Sequence, residues 1–292
     1  MFARNFPYIL GGIAIGGQYA LIAIGYTMVY GILRLINFAH GDIFMCAGLM
    51  MVYLSAAVPL YIAIPLVLLL TALLGAMVEK IAYKPLRNAP RMSVMISAIG
   101  VSYFLQNFAM YVTGGLSKPY PSIGWISDTV NVLGASTKRV TVITPILTVI
   151  LVFILVMFIK HTKMGMAMRS VSRDFETAQL MGIKINHIIS STFIMGSLLA
   201  GVGSVLFFTS YTGVTPTAGA MPGLKAFVAA VFGGIGSIPG AVLGAFIIGI
   251  CESIIKGFGW TTFSDAFTFA LLIVVLVVKP TGIFGEKQVD KV

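Results

Sequence analysis

The sequence predicts an all-α, polytopic integral membrane protein. Three observations carry that prediction. Of 292 residues, 58% are hydrophobic and only 10% are charged, against the roughly 25% charged that keeps a soluble domain in water. Mean hydropathy is +1.00, and apolar tracts about as long as a bilayer is thick recur along the chain. The remaining charge, 19 Lys and Arg against 9 Asp and Glu, falls in short runs between those tracts. That is the pattern of cytoplasmic loops, not of a basic surface for nucleic acid, and no groove-reading motif accompanies it.

Tracts near the spanning length occupy 7–31, 42–58, 60–82, 93–113, 140–159, 188–211, 223–256 and 262–279. The first is too long for the apolar core of a signal peptide and is read as a retained helix. Lys80, Lys84, Arg87 and Arg91 follow the third tract; Lys160, Lys163, Arg169, Arg173 and Lys184 follow the fifth. Both stretches are expected in the cytoplasm. The loop 114–139 between them is then external, as is the N-terminus, against which Arg4 is the only argument.

Parity decides the C-terminal third. The tail, with Lys279, Lys287 and Lys291, is expected in the cytoplasm, which requires an even number of crossings after Lys184. The tract 223–256 is too long for one span, and it contains Gly233, Gly234, Gly236, Pro239 and Gly240. These residues break a helix, so a short segment and a full one meet at a turn there. The expectation is eight or nine spanning segments in one transmembrane domain, 1–292. The short segment either crosses or turns back, and irregular backbone at that depth survives only inside protein or along a wet cavity.

No catalytic constellation is present in the sequence. It lacks a Walker A loop, a His-Glu-x-x-His helix and a Gly-x-Ser-x-Gly elbow, and His40, His161 and His187 lie on separate segments. No metal site is expected, and Cys46 and Cys251 are read as small hydrophobes. Most of the 32 glycines are read as sites where helices approach closely.

The candidate pathway residues are the polar groups inside or beside the spans: Gln18, Tyr19, Asn37, His40, Asp42, Gln106 and Asn107. Around Arg34–Asp42 one reading is a gate or buried hydrogen-bond network, because ionisable groups in a membrane are costly. The other is a cytoplasmic turn with Asn37 and Asp42 capping helices. Gln106 and Asn107 either face a pathway or tie helices together. Glu252 is expected near the external interface beside Lys256, its i+4 neighbour.

The cytoplasmic region 160–187 is the most informative. From Gly165 to Ile183 it reads as a helix, with Arg173 and Glu176 three apart, Phe175, Leu180 and Ile183 available to pack, and Gly182 ending it. It is either an interfacial amphipathic helix or a docking helix for a cytoplasmic partner.

The string Glu176-x-Ala178-x-x-x-Gly182 resembles the coupling loop of ABC importer permeases, with Thr177 in place of an alanine. Further strings are similar to branched-chain amino acid permeases of the LivH type: Tyr19–Gly31, Ile36–Asp42, Ala82–Arg87, Ile96–Gly100, Leu105–Asn107, Lys225–Phe227, Gly233–Gly240 and Lys279–Ile283. The resemblance is colinear over nearly the whole chain. It implies a bacterial inner-membrane subunit that couples through Arg169, Arg173, Glu176, Ala178 and Gly182. The implied partners are a second, LivM-like permease, two cytoplasmic ATPases that carry the ATP and Mg, and a periplasmic substrate-binding protein. The chain itself would bind no cofactor. Alternatives are an ABC permease for urea, short amides or other amino acids, and a stand-alone facilitator.

Overall fold

The computed structural model describes residues 2–87, 89–132, 135–279 and 281–285; Lys287 and Lys291 lie outside them. Eleven helices run α1 Phe2–Leu33, α2 His40–Ala57, α3 Leu60–Val78, α4 Arg91–Thr113, α5 Arg139–His161, α6 Lys163–Arg173, α7 Phe175–Leu180, α8 Ile185–Ser210, α9 Ala220–Gly233, α10 Ile238–Gly257 and α11 Phe263–Val278. Seven described helices are long and apolar enough to cross a bilayer, and α9 and α11 are shorter apolar helices. Counting both, the chain alternates ends nine times, in line with the expected eight or nine segments.

The centre of the bundle is α1 and α8, each with 67% of its span buried, whereas α5 buries 17% and α4 22%. Glycine permits the tightest pairing. A Cβ on Gly12 would lie 2.7 Å from Ile250 Cα, and one on Gly16 would lie 2.7 Å from Phe246 Cα. Thus α1 and α10 meet backbone to backbone, where dispersion and not hydrophobicity holds helices together. Apolar residues elsewhere on these helices face outward, including Tyr103, Phe104 and Phe108 on α4 and Phe153 on α5.

Two helices start inside the bundle instead of at its ends. A Cβ on Gly41 would lie 3.1 Å from Gly223 Cα, so the first turns of α2 and α9 cross in contact. The chain reaches these starts through short non-helical stretches, 34–39 and 211–219. Arg34 takes φ +57° at the head of the first.

The break in the last third lies where expected. Gly233 closes α9, and Gly234 and Gly236 take φ of +106° and +100° in the turn. Pro239 and Gly240 open α10, where the missing proline N–H costs nothing. Ser237 caps that helix by accepting from the Gly240 N–H at 3.3 Å. The chain after α11 returns to this break: Ile283 and Phe284 donate to the carbonyls of Phe232 and Gly233, each at 3.0 Å.

The loop 114–139 holds two short strand pairings, and one expectation is corrected. Strand β1 (Lys118–Pro119) pairs antiparallel with β4 (Gly213–Val214), and β2 (Thr129–Val132) with β3 (Ala135–Lys138). The run from Gly165 is not one helix. Asp174, with φ −155° and ψ 114°, separates α6 from α7 and caps α7 through the N–H groups of Glu176 and Thr177. An aspartate offers the backbone this alternative bond, which ends the first helix and starts the second.

Candidate functional site

The unit α6–α7 projects at the end of the bundle that carries the Lys- and Arg-rich stretches. In α6, Gly165, Met168 and Val171 recur three apart and are buried, which seats the helix on the bundle. Arg169 is exposed and donates to the Lys160 carbonyl at 3.3 Å, tying α6 to the end of α5. Arg173 is exposed at the last turn of α6, and Glu176 is exposed in the first turn of α7. On α7, Ala178 is buried. Leu180 and Met181, 86% and 79% exposed, stand out from the surface. Phe175 and Ile183 are half-buried against the bundle, so of the three apolar residues expected to pack, Leu180 does not.

Gly182 takes φ +82°. Ile183 N–H donates to the Ala178 carbonyl at 3.1 Å, and Gly182 N–H to Gln179 at 3.0 Å. These bonds terminate α7 in the left-handed manner that glycine favours.

Between α7 and the bundle lies a cleft of about 690 Å³, bordered by Leu35, Tyr83, Arg87, Gln179, Ile183 and Asn186. Its wall includes a π-helical turn, Glu79–Tyr83, that continues α3. Arg87 is ion-paired with buried Glu79 and hydrogen-bonded to Asn186, and Ser190 donates to Glu79 at 2.8 Å. Tyr83 donates to Asn37 Oδ1 at 3.0 Å. The start of α8, after α7, is therefore bonded to the end of α3 through side chains, and the end of α3 is in turn bonded to the stretch that follows α1.

The candidate pathway residues do not converge. Gln18 is buried and reaches the Leu206 carbonyl at 3.5 Å, while Tyr19 donates to Glu252 at 3.0 Å. Asn37 belongs with Tyr83. His40 faces α1, its ring 5.0 Å from that of Tyr26. Neither Asn37 nor Asp42 caps α2, whose N-cap is Ala39 without a side-chain bond. Asp42 and Gln106 do meet: Gln106 Nε2 donates to Asp42 Oδ1 at 2.9 Å. Asn107, one residue on, points to the outside and bonds its own helix at Tyr103.

A buried ion cluster holds the opposite end. Glu252 is 2% exposed, and it pairs with Lys225 at 2.8 Å and with Lys256 as well as accepting from Tyr19. Lys225 also pairs with Asp265 at 2.6 Å. Four helices, α1, α9, α10 and α11, are joined by these contacts. The i+4 pair of Glu252 and Lys256 forms as expected, with the carboxylate buried between helices.

Comparison with known proteins decides the family. The family described as "Branched-chain amino acid transport system / permease component" matches residues 8–276. The chain belongs to that family. It is 39% identical to the high-affinity branched-chain amino acid transport system permease protein LivH of Salmonella typhimurium, over 99% of this chain and 100% of that one. It is 37% identical to the permease protein BraD of Pseudomonas aeruginosa, over 97% of each. Among solved structures, PsaBC from Streptococcus pneumoniae in complex with Fab superposes with a TM-score of 0.50 at 15% identity. The match covers 97% of this chain and 98% of that one, a likeness of fold only. The permease is thus a multi-pass inner-membrane transport subunit of a branched-chain amino acid ABC importer and performs no catalysis itself.

Sequence reading missed several of the permease's buried charges. Lys225 was quoted only within a family string, although a lone lysine in an apolar tract is itself a signal for an intramembrane partner. Asp265 and the Glu79–Arg87 pair carried no local signal, because their partners lie on other helices or across a turn.

Proposed function

We propose that this permease lines, with a second LivM-like permease, the path for leucine, isoleucine and valine, and is driven by two cytoplasmic ATPases. The whole chain acts as one transmembrane domain. The basic end faces the cytoplasm, and the opposite end, with the loop 114–139, receives a periplasmic binding protein. The observation that carries the reading is the exposed α6–α7 unit. It offers Leu180 and Met181 as an apolar bump, with Arg169, Arg173 and Glu176 exposed around it.

Closure of the ATPases would move α7 as a rigid body. Its neighbours Arg87, Glu79 and Asn186 would pass the movement to α3 and α8 through direct bonds. Gln18, Tyr19, Asn37, His40, Asp42, Gln106 and Asn107 are then placed on or beside helices that shift, and the turn Gly233–Gly240 is the hinge between α9 and α10. Selectivity among aliphatic side chains rests mainly with the binding protein.

The test is reconstitution of the permease with its partner subunits in proteoliposomes. ATP-driven leucine uptake that needs the binding protein is the expected result. Leucine flux through this chain alone, without ATP, would establish a facilitator instead, and ATP-driven uptake of urea without leucine would reassign the substrate.

A further inference from the structure

Four carboxylates lie within the membrane-spanning part of the described residues, and three of them have a basic partner. Glu79 pairs with Arg87, Glu252 with Lys225 and Lys256, and Asp265 with Lys225. Asp42 is the exception: among the described residues no Lys, Arg or His nitrogen lies within ion-pairing distance of it. Its residue is 2% exposed, and its bonding partner in the structure is the neutral amide of Gln106 at 2.9 Å. The same amide nitrogen lies 3.3 Å from Ser102 Oγ.

The position is deep. His40, two residues earlier, packs against Gly25 of α1. Gly25 lies eight residues before the end of α1 at Leu33, roughly 12 Å at the rise of an α-helix. Asp42 therefore sits well inside a bilayer whose apolar core is about 30 Å thick. Its place in the first turn of α2 puts it near the positive end of that helix's dipole. A helix terminus and one amide return less than the burial of an unpaired carboxylate costs. Such a carboxylate is neutralised by a proton or by a cation.

We propose that Asp42 is the counter-ion for the α-ammonium group of the amino acid in transit. The inference rests on the reading of this chain as an amino-acid permease. An ammonium group has three donors. The two oxygens of the Asp42 carboxylate and the Ser102 hydroxyl, both within reach of the same Gln106 nitrogen, are three acceptors between α2 and α4. The route to them passes α4, which buries only 22% of its span against the rest of the bundle. Gln106 is half-buried and Asn107 exposed on that helix, so the carboxylate lies one side chain below an open helix face. The aliphatic side chain of the cargo would need only apolar walls, leaving Asp42 to recognise what all three branched-chain substrates share.

The test uses the complete importer in proteoliposomes, reading ATP-driven leucine uptake and ATP hydrolysis stimulated by the binding protein. Wild-type uptake comes first, because its absence would defeat the transport reading itself and not the role of Asp42. Given that uptake, Asp42→Asn is expected to lower it at least tenfold while stimulated hydrolysis persists, and Asp42→Glu to restore a third or more. Gln106→Lys supplies a cation from the protein. It is expected to raise the thermal midpoint of the complex and to abolish uptake, a combination that a purely structural Asp42 would not produce. Leucine uptake by Asp42→Asn within twofold of wild type overturns the proposal. So does a joint loss of uptake and stimulated hydrolysis, which would assign Asp42 to packing of α2 on α4. If Asp42→Asn does not assemble, Gln106→Lys decides: wild-type uptake by that variant overturns the proposal, and loss of uptake by an assembled complex supports it.

Discussion

Lys225 of α9 and Glu252 of α10 form an ion pair of 2.8 Å with side chains only 6% and 1% exposed. The two helices are joined by the Gly234–Ser237 turn at the other end of the bundle, so the pair closes the open end of a helical hairpin. Lys225 also holds Asp265 of α11, and Lys256 remains beside Glu252 as a second cation. Only Lys225 and Glu252 are buried; Asp265 and Lys256 reach the surface, so a neutral pair lies inside with one further charge of each sign at its edge.

Removing the shared cation should be costly. Lys225→Met is expected to destabilise the purified permease by about 3 kcal/mol, the lower end for breaking a buried pair, because Lys256 still partners Glu252. The double variant Lys225→Met/Glu252→Gln should recover most of that loss. Unfolding midpoints of the wild type, the two single variants and the double variant check it, and simple additivity of the two single changes would refute the coupling.

The glycines of α1 give a sharper contrast. Gly16→Leu is expected to leave no folded permease, since even a Cβ there would lie 2.7 Å from Phe246 Cα. Gly100→Ala on α4, where a Cβ meets nothing within 4 Å, should fold as wild type. Monodispersity in detergent distinguishes the two.

At Gly182 the constraint is backbone angle and not space. With φ +82° and no atom near a built Cβ, a β-branched residue costs roughly 1–2 kcal/mol in a left-handed conformation, while asparagine visits it readily. Gly182→Val is expected to uncouple ATP hydrolysis from uptake, and Gly182→Asn to keep them linked. Paired assays of hydrolysis and uptake read this directly.

The exposed bump separates docking from folding. Leu180→Glu together with Met181→Glu should change stability by no more than about 0.5 kcal/mol, as is usual for surface positions. Their affinity for the ATPase subunits should fall at least tenfold. Sedimentation of the variant with the ATPases, beside a thermal melt, checks both halves; tight binding by the double variant would remove α7 from the interface.

Much of the fold was legible because a bilayer imposes one rule on every segment. A helix crossing it must be apolar over a set length, so the tracts ending near Thr113, His161 and Ser210 could be placed to within a few residues. The break at Gly233–Gly240 followed from loop charge, tract length and the Gly and Pro residues there. The site was less legible. The polar residues between Gln18 and Asn107 looked like one class of candidate, yet they separate into unrelated environments, and Asn107 turns away from its neighbour Gln106. Helical periodicity divides adjacent residues between faces, but it does not say which face meets protein.

By itself, then, the sequence determined the membrane class, the order of the long apolar segments and the family. Each follows from composition, from charge in loops, or from residues adjacent in the chain. Only the tertiary structure decided which charges are partners. It joined Lys225 to Glu252 and Asp265, joined Glu79 to Arg87, and left Asp42 with the Gln106 amide. Burial makes Glu79, Lys225, Glu252 and Asp42 demand a partner, but the packing of distant helices chooses which one is within reach.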